Sequence, residues 1–261
     1  MQGGSRERIF GRNAAYEVLR AGRRKVYALD VAEGAEVRGG LRRVLDLAEA
    51  SSVAVRRVRR SDLDRESDSH QGVAATAAAY PYVEIGDILE RAVELNEPPL
   101  VLLLDLIQNP QNLGTLLRTA EAVGVHGVVI GSHRAAGITP AVVSSSSGAS
   151  EHLRIAQGNL AQAMDRLRNA GVWMVGLDAG PDAASLDEVN LAGALGLVVG
   201  NEGEGMRRLV RESCDVLMRL PMRGRVESLN AAVAGSLALY AAWAARGYAG
   251  AGAAWATGGL H

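Results

Sequence analysis

Three segments of the sequence place polar side chains or glycines after an apolar run, and these are where chemistry could occur. The first is Gln108-Asn109-Pro110-Gln111-Asn112, which leads towards Arg118. Two asparagines and two glutamines are costly to hold beside a buried strand unless they bind something. The alternative interpretation is a helix capped by Asn112, with Arg118 as an ordinary surface residue.

The second segment is Gly200-Asn201-Glu202-Gly203-Glu204-Gly205-Met206. Its three glycines allow the backbone to approach a ligand closely. The spacing is not that of a dinucleotide-binding fingerprint, and no phosphate-binding lysine follows. A flexible turn would account for the glycines but not for Asn201 and Glu202.

The third segment runs from Leu220-Pro221-Met222 to Ser228-Leu229-Asn230. Pro221 prevents the preceding strand from continuing as a central strand. Ser228 or Asn230 could cap the last helix, which is their ordinary structural role. A run of small residues, 144–150, either lets two backbones pass closely or serves as a linker.

The elements around these segments divide the chain into two α/β modules. Apolar spacing predicts helices over 9–20 and 41–50 and strands over 25–32, 53–58 and 72–78. We therefore predict an amino-terminal module over 1–80, followed by a linker over 81–99 that contains an acidic helix and Pro98-Pro99.

From Leu100 onwards, apolar strands alternate with helices, which indicates a mostly parallel sheet covered on both faces. Strands are predicted over 99–107, 126–131, 172–177, 194–200 and 215–220, and helices over 112–123, 159–169 and 228–245. This domain is predicted to span 100–248, with a flexible Gly/Ala-rich tail over 249–261. Ligands of such sheets bind beyond the carboxyl ends of strands, where the three segments lie.

Charge and composition narrow the class of protein. The 261 residues are 48% hydrophobic and 22% charged, which is ordinary for a globular chain. Residues 1–80 carry fifteen Lys and Arg against eleven Asp and Glu, although the whole chain has a net charge of −1. This asymmetry is compatible with a polyanionic partner, but a solvated arginine-rich surface would give the same pattern. No membrane span or secretory signal is recognisable, so we expect a cytoplasmic protein.

Several other chemistries find no support in the sequence. The five histidines show no metal-ligand spacing, and the single cysteine, Cys214, can form no internal disulfide. There is no nucleophile-elbow motif and no paired-carboxylate pattern. A metal site is therefore not expected.

The three segments, in this order and spacing, resemble the SpoU (TrmH) family of RNA ribose 2′-O-methyltransferases, part of the SPOUT superfamily. The amino-terminal module resembles the family's ribosomal-protein-like, substrate-binding domain, including Phe10-Gly11 and His70-Gln71-Gly72-Val73. The resemblance covers residues 9 to about 246. Within the family it is greatest to bacterial enzymes that methylate a guanosine of 23S ribosomal RNA.

The resemblance implies a Rossmann-like sheet whose carboxyl-terminal part forms a deep trefoil knot, a rare exception in chain topology. It implies S-adenosylmethionine as the cofactor, structured RNA as the substrate, either rRNA or tRNA, and a homodimer formed through the carboxyl-terminal domain. The residues it implies in catalysis are Arg118, Asn112, Glu202, Ser228 and Asn230. Those it implies in cofactor binding are Gly200, Leu220, Leu229, Leu177, Gly205 and Met222.

The role of Arg118 follows from its chemistry. Arginine stays protonated in proteins, so it is a poor general base. We interpret Arg118 as a cation that stabilises the developing alkoxide and grips the adjacent phosphate, while a phosphate or Glu202 relays the proton. Ala231-Ala232 stands where the family often has Val-Ser, so any task of that serine hydroxyl is absent or moved.

Three functions are compatible with these patterns. The first is RNA ribose methylation. The second is non-catalytic RNA binding on the same fold, which the intact Arg118 and Glu202 oppose and which cofactor titration would separate from the first. The third is a nucleotide-dependent oxidoreductase, which the missing fingerprint opposes.

Overall fold

The chain forms two sheets with their own helices in a computed structural model that describes residues 6–225 and 228–252. The amino-terminal unit contains β1 Arg6–Phe10, α1 Arg12–Ala21, β2 Val26–Ala32, α2 Gly40–Ala50, β3 Ala54–Val58, α3 Arg60–Asp64 and β4 Val73–Ala78. The second unit contains α4 Ile85–Leu95, β5 Leu100–Leu104, α5 Pro110–Ala122, β6 Gly127–Gly131, α6 Pro140–Ser145, β7 Ile155–Gly158, α7 Leu160–Asn169, β8 Trp173–Leu177, β9 Ala184–Ser185, β10 Leu195–Val199, α8 Arg208–Glu212, β11 Val216–Arg219 and α9 Ala231–Ala245.

The amino-terminal unit is a mixed four-stranded sheet in the order β1-β4-β2-β3. Strand β4 runs antiparallel to β1 and β2, and β2 runs parallel to β3. The helix predicted from residue 9 is wrong at its start, because residues 6–10 pair with β4 and the helix begins at Arg12. Gly11, with φ 100°, makes the turn between them, a conformation that glycine adopts readily. Tertiary pairing therefore overrides the local helical spacing of Ile9.

The second unit is a seven-stranded sheet in the order β7-β6-β5-β10-β8-β11-β9, with parallel pairing throughout. Strands β5, β6 and β10 are buried along their whole length, as their continuous apolar runs predict. Helices α5 and α9 pack on one face of the sheet, and α4 and α7 pack on the other. The predicted α/β class with a parallel sheet is confirmed.

The strand register brings four loops to one edge of this sheet. Leu104 of β5 pairs with Val199 of β10, and Leu177 of β8 pairs with Met218 of β11. The loops that follow these strands therefore leave the sheet at the same carboxyl edge. The three segments singled out in the sequence are three of these loops.

The range 81–99, predicted as a linker, is packed against the second sheet. Ile88 of α4 is fully buried in the core on the α7 side. A side chain at Gly127 of β6 would collide with Ile88, which shows how closely the helix and the strand approach. This range therefore forms part of the second unit's core.

The two units meet in a buried junction. The Tyr80 hydroxyl donates a hydrogen bond to the Ser150 carbonyl at 2.8 Å. Arg24, three residues beyond the end of α1, forms a two-point ion pair with Glu151, with Nη2 to Oε1 at 2.6 Å and Nε to Oε2 at 3.0 Å. Both side chains are only 1% exposed. The junction therefore fixes the amino-terminal unit against the second sheet.

The residues that follow α9 pack back against this helix. The Trp243 indole donates a hydrogen bond to the Ala249 carbonyl at 2.9 Å. Of the tail predicted over 249–261, residues 253–261 lie outside the described residues.

Among the helices of the described residues, none has the length and apolar character that would let it cross a membrane.

Candidate active site

The first loop places Asn112 inside a helix rather than at its cap. Asn109 is the N-cap of α5, and its Oδ1 accepts a hydrogen bond from the Gln111 amide at 2.8 Å. The prediction that Asn112 caps this helix is wrong, because the fixed φ of Pro110 suits the first helical position and starts the helix earlier. The Asn112 side chain is thereby free to reach another loop.

The second loop is a tight turn held against the first. The backbone groups of Asn201 and Gly205 exchange hydrogen bonds at 3.1 and 3.0 Å. The Asn201 side chain accepts from the Gly203 amide at 2.7 Å and donates to the Leu106 carbonyl at 3.3 Å. This arrangement fixes Glu202 on the turn.

An ion pair between a buried carboxylate and an exposed arginine reinforces the contact between these two loops. Asp105, which is fully buried, accepts hydrogen bonds from the Arg207 amide at 2.7 Å and from its Nε at 2.8 Å. Asp105 directly follows β5, and Arg207 directly follows the glycine-containing turn. The ion pair therefore sets the distance between the first and second loops.

All three loops converge on one oxygen of Glu202. Asn112 Nδ2 donates to Glu202 Oε1 at 2.8 Å, and Asn230 Nδ2 donates to the same atom. The Ala231 amide approaches it at 3.3 Å. The structure thus brings together three of the five predicted catalytic residues, which lie as far as 118 residues apart in the sequence.

Asn230 has a second task as the N-cap of α9. Its Oδ1 accepts from the Ala232 and Val233 amides at 3.0 and 3.2 Å. Helix α9 was predicted from residue 228, but this cap makes it begin at Ala231, and Ser228 lies outside it. Ala231 and Ala232 are buried and supply backbone N–H groups to Glu202 and Asn230.

Arg118 lies apart from this cluster. It follows Asn112 by six residues of α5, which places it about 9 Å along the axis and about 120° around it. Its Nη1 donates to Ser147 Oγ at 3.4 Å. Arg118 is exposed, and within residues 6–225 and 228–252 it forms no ion pair, so its charge is available to a ligand.

Beside the Glu202 cluster lies a cleft of about 780 Å³ at the carboxyl edge of the sheet. Ser228 and Glu202 line it. All six residues that the sequence implied in cofactor binding line it as well: Leu177, Gly200, Gly205, Leu220, Met222 and Leu229. The sequence analysis missed Asp178, Ala179 and Ser185, although this polar stretch follows a buried strand at the same edge.

The glycines of the second loop are not equivalent. A Cβ at Gly200 would lie 2.4 to 2.6 Å from backbone atoms of Gly205 and Met206, which is too close for any side chain. Gly205 has φ 67°, a left-handed conformation. At Gly203 the nearest protein atom would be 3.6 Å away and no positive φ occurs, so the fold itself does not require glycine there.

The described residues provide neither a reactive cysteine nor a metal site. Burial raises the pKa of the Cys214 thiol to about 12, so this cysteine is no nucleophile at neutral pH. In the described portion of the chain, no group of three His, Cys, Asp or Glu side chains could hold a metal ion.

Both units of the chain match known protein families. Residues 99–240 match the SpoU rRNA Methylase family, and residues 8–83 match the RNA 2′-O ribose methyltransferase substrate binding family. The chain belongs to the SpoU family, a class of S-adenosylmethionine-dependent RNA methyltransferases.

Individual relatives span nearly the whole chain. A putative TrmH family tRNA/rRNA methyltransferase of Bacillus subtilis, YacO, is 44% identical over 236 residues, covering 89% of this chain and 93% of its own. The SpoU methyltransferase AviRb of Streptomyces viridochromogenes, solved in complex with AdoMet, has a TM-score of 0.77 at 25% identity, covering 93% and 91% of the two chains. A solved RNA 2′-O ribose methyltransferase has a TM-score of 0.73 at 27% identity, covering 92% and 89%.

The cleft fits S-adenosylmethionine on this chain's own features. Its volume lies within the range of about 300–1,000 Å³ that is usual for small-molecule sites. Leu177, Leu220 and Leu229 offer apolar contacts for an adenine ring, and the side-chain-free Gly200 exposes backbone there.

Gly200→Ala should therefore weaken S-adenosylmethionine binding about tenfold, because the added methyl group pushes the turn away from its present position. Gly203→Ala is the matched control and should change the affinity less than twofold. Isothermal titration calorimetry on both folded variants gives the comparison. Equal affinities for the two variants would show that the turn does not shape the cofactor cleft.

Proposed function

We propose that this protein methylates the ribose 2′-hydroxyl of a guanosine in 23S rRNA, using S-adenosylmethionine; a tRNA ribose is the alternative target. The observation that carries the proposal is the convergence of Asn112, Glu202 and Asn230 beside the cofactor cleft. The likeness to a solved RNA 2′-O ribose methyltransferase and to the putative tRNA/rRNA methyltransferase of Bacillus subtilis supports RNA as the substrate. We also propose a cytoplasmic location, because rRNA and tRNA are found there.

The amino-terminal unit is proposed to position the RNA. Within the basic run 56–60, Arg56 is not available, since its Nε donates to Asp30 at 2.6 Å. Burial opposes ionisation of Asp30, but hydrogen bonds from Arg56 and Arg8 outweigh it and lower its pKa. Arg57 is exposed and forms no ion pair with any residue that the structure describes, so it is the cation of this run best placed to contact a phosphate.

In the proposed mechanism, Arg118 acts on the substrate and Glu202 holds the surrounding loops in position. S-adenosylmethionine, when bound, supplies an activated methyl group on a sulfonium. Arg118 holds the target ribose through its adjacent phosphate and stabilises the 2′-oxygen as its proton passes to that phosphate. Glu202 is a positioning residue, because its Oε1 is already engaged by Asn112 and Asn230. Ser228, at the rim of the cleft, helps to orient the substrate.

Two substitutions at Glu202 test this positioning role. Glu202→Gln keeps an oxygen that accepts from both asparagines, so methyl transfer should fall less than threefold. Glu202→Ala leaves these donors without their partner and should cost about tenfold or more. Single-turnover rates at saturating cofactor make the comparison. An equal and large loss in both variants would instead identify Glu202 as the proton acceptor.

We also propose that two copies pair through α9. Val233, Leu237 and Tyr240 are spaced 3 to 4 residues apart on one face of this helix and are 46%, 51% and 45% exposed. Leu237→Asp should convert a dimer into a monomer in analytical ultracentrifugation, whereas Leu209→Asp, on exposed α8, should not. A monomeric wild-type protein would contradict the proposal.

The trefoil knot is likewise a proposal for this chain. It is supported by the placement of β10 between β5 and β8, which interleaves a late strand with earlier ones. The packing of α9 against α5 agrees with this topology: a Cβ at Gly235 would lie 2.5 Å from the Leu116 side chain.

The RNA target is identified by mapping ribose methylation in total RNA of a strain that lacks the gene. We expect one 2′-O-methyl group to disappear from 23S rRNA and to return with the wild-type gene but not with Arg118→Ala. Loss from a tRNA would establish the alternative target. An unchanged methylation map would contradict the proposal, and cofactor titration would then test the non-catalytic alternative.

A further inference from the structure

A second cavity, of about 370 Å³, lies between the two units. Phe10, Gly11 and Gln71 line it from the amino-terminal unit, and Gln111 and Ser144 line it from α5 and α6. Its volume falls within the usual range for small-molecule sites. The functions assigned above to the cofactor cleft and the Glu202 cluster do not use it.

The chemistry of the lining is neutral. Among the described residues, the polar side chains of the lining are amides and hydroxyls, and none is charged: Asn13, Ser69, Gln71, Gln111, Ser144, Ser145 and Ser147. A phosphate would call for cations, whereas amides and hydroxyls match the hydrogen-bonding edges of a nucleobase.

Two amides on opposite walls are free to bind. Within the described ranges, the side chains of Asn13 in α1 and Gln111 in α5 form no hydrogen bond with protein, whereas other polar groups of the lining are already engaged. For example, Gln71 Oε1 accepts from the Arg12 amide at 3.1 Å, and Ser144 Oγ donates to the Phe10 carbonyl at 3.2 Å. The free groups therefore come from both units.

The cavity lies directly beside the proposed ribose-holding cation. Ser147, one of its lining residues, accepts the hydrogen bond from Arg118. Gln111 and Arg118 are seven residues apart in α5, which places them on the same face, two turns from each other. A nucleotide whose ribose contacts Arg118 can thus extend its base along this face into the cavity.

The backbone of both walls is strained at this place. Gln71 and Ser147 have φ angles of 50° and 54°, in the left-handed region that side chains other than glycine rarely adopt. Strain of this kind persists where the surrounding structure over-determines it, and it clusters at ligand clamps. The two strained residues face the cavity from opposite units.

We propose that this interdomain cavity receives the base of the methylated nucleotide, turned out of the RNA stack, while its ribose lies at Arg118. The inference rests on the proposed function and extends it, because it assigns base recognition to Asn13 and Gln111. It also assigns a function to the fixed junction between the units. Only a fixed amino-terminal unit can form one wall of a base-sized site.

The test uses the full chain and two RNA fragments that span the mapped nucleotide. One fragment is normal, and the other carries an abasic ribose, with its 2′-hydroxyl intact, at that nucleotide. Initial rates of methyl transfer are measured for both at subsaturating RNA. The wild-type protein should prefer the normal fragment at least about tenfold, the order expected for one stacked or hydrogen-bonded base.

Substitutions in the cavity then test whether it causes the preference for the normal fragment. In Asn13→Ala/Gln111→Ala the ratio of the two rates should fall to within about threefold, with unchanged cofactor affinity and an unchanged rate on the abasic fragment. Gln162→Ala in α7, on the opposite face of the sheet, is the control and should keep the wild-type ratio.

Two results would overturn the cavity assignment alone: a wild-type ratio near one, or a double variant that keeps the wild-type ratio. Absence of transfer to any ribose by the wild-type protein would instead overturn the proposed function, and the cavity assignment with it. The wild-type comparison of the two fragments does not depend on the folding of any variant.

Discussion

Arg118→Ala should lower the rate of methyl transfer by about 10²-fold or more while leaving S-adenosylmethionine affinity nearly unchanged. The size of the loss is that of removing one preorganised group that stabilises a developing oxyanion. Cofactor affinity should be unaffected because Arg118 does not line the cofactor cleft and contacts Ser147 instead. Single-turnover kinetics and calorimetry on the same preparation measure the two quantities.

Arg166→Ala, at an exposed position of α7, is the matched control for this experiment and should retain the wild-type rate. Arg118→Lys keeps the charge but loses the planar fork that can hold a phosphate, so its rate should lie between those of alanine and wild type. Near-normal turnover of Arg118→Ala would remove this residue from the mechanism.

Arg24→Ala should lower the free energy of unfolding by about 3–5 kcal/mol, the cost of removing one partner from a buried ion pair. The variant leaves the Glu151 carboxylate inside the junction between the units without its guanidinium. Arg20→Ala, in α1, removes an exposed arginine 3.5 Å from Glu17 and should cost about 1 kcal/mol or less. Urea unfolding at pH 7 gives both values, and equal stability of the two variants would contradict the account of the junction.

The stability deficit of Arg24→Ala should also depend on pH. Burial raises the pKa of Glu151, and removing the Arg24 guanidinium raises it further. A carboxyl group with a raised folded-state pKa favours the fold at pH values below its unfolded pKa of about 4.3, and this contribution is lost as the pH rises through the folded pKa. The deficit should therefore be smaller near pH 4 than at pH 7, and Glu151→Gln in the same background should recover part of it at pH 7.

The sequence predicted those parts of the fold in which local pattern and tertiary packing agree. Continuous apolar runs located β5, β6 and β10, because strands buried on both faces need apolar residues at every position. The start of the amino-terminal unit could not be read this way, since residues 6–10 become a strand only by pairing with β4. The ion pair of Arg24 with Glu151 joins residues 127 apart, and no local pattern signals it.

In the site, too, some features could be predicted from local pattern and others depended on tertiary packing. The motifs placed Asn112, Glu202 and Asn230 in separate loops, and strand order at one sheet edge explains why these loops meet. Which asparagine caps α5 depended on Pro110, because proline suits the first helical position and makes Asn109 the cap, whereas the residue type alone allowed Asn112. The unequal glycines of the second loop needed backbone distances, because spacing alone treats Gly200 and Gly203 alike.

The central claim is that this chain transfers a methyl group from S-adenosylmethionine to an RNA ribose. The most direct measurement incubates the purified protein with methyl-tritiated S-adenosylmethionine and, separately, ribosomal and transfer RNA from a strain that lacks the gene, followed by digestion to nucleosides and chromatography. The account predicts that the label appears in one 2′-O-methylnucleoside, guanosine for the favoured target, and is absent with Arg118→Ala. Label on a base, or no label in ribosomal or transfer RNA, would contradict it.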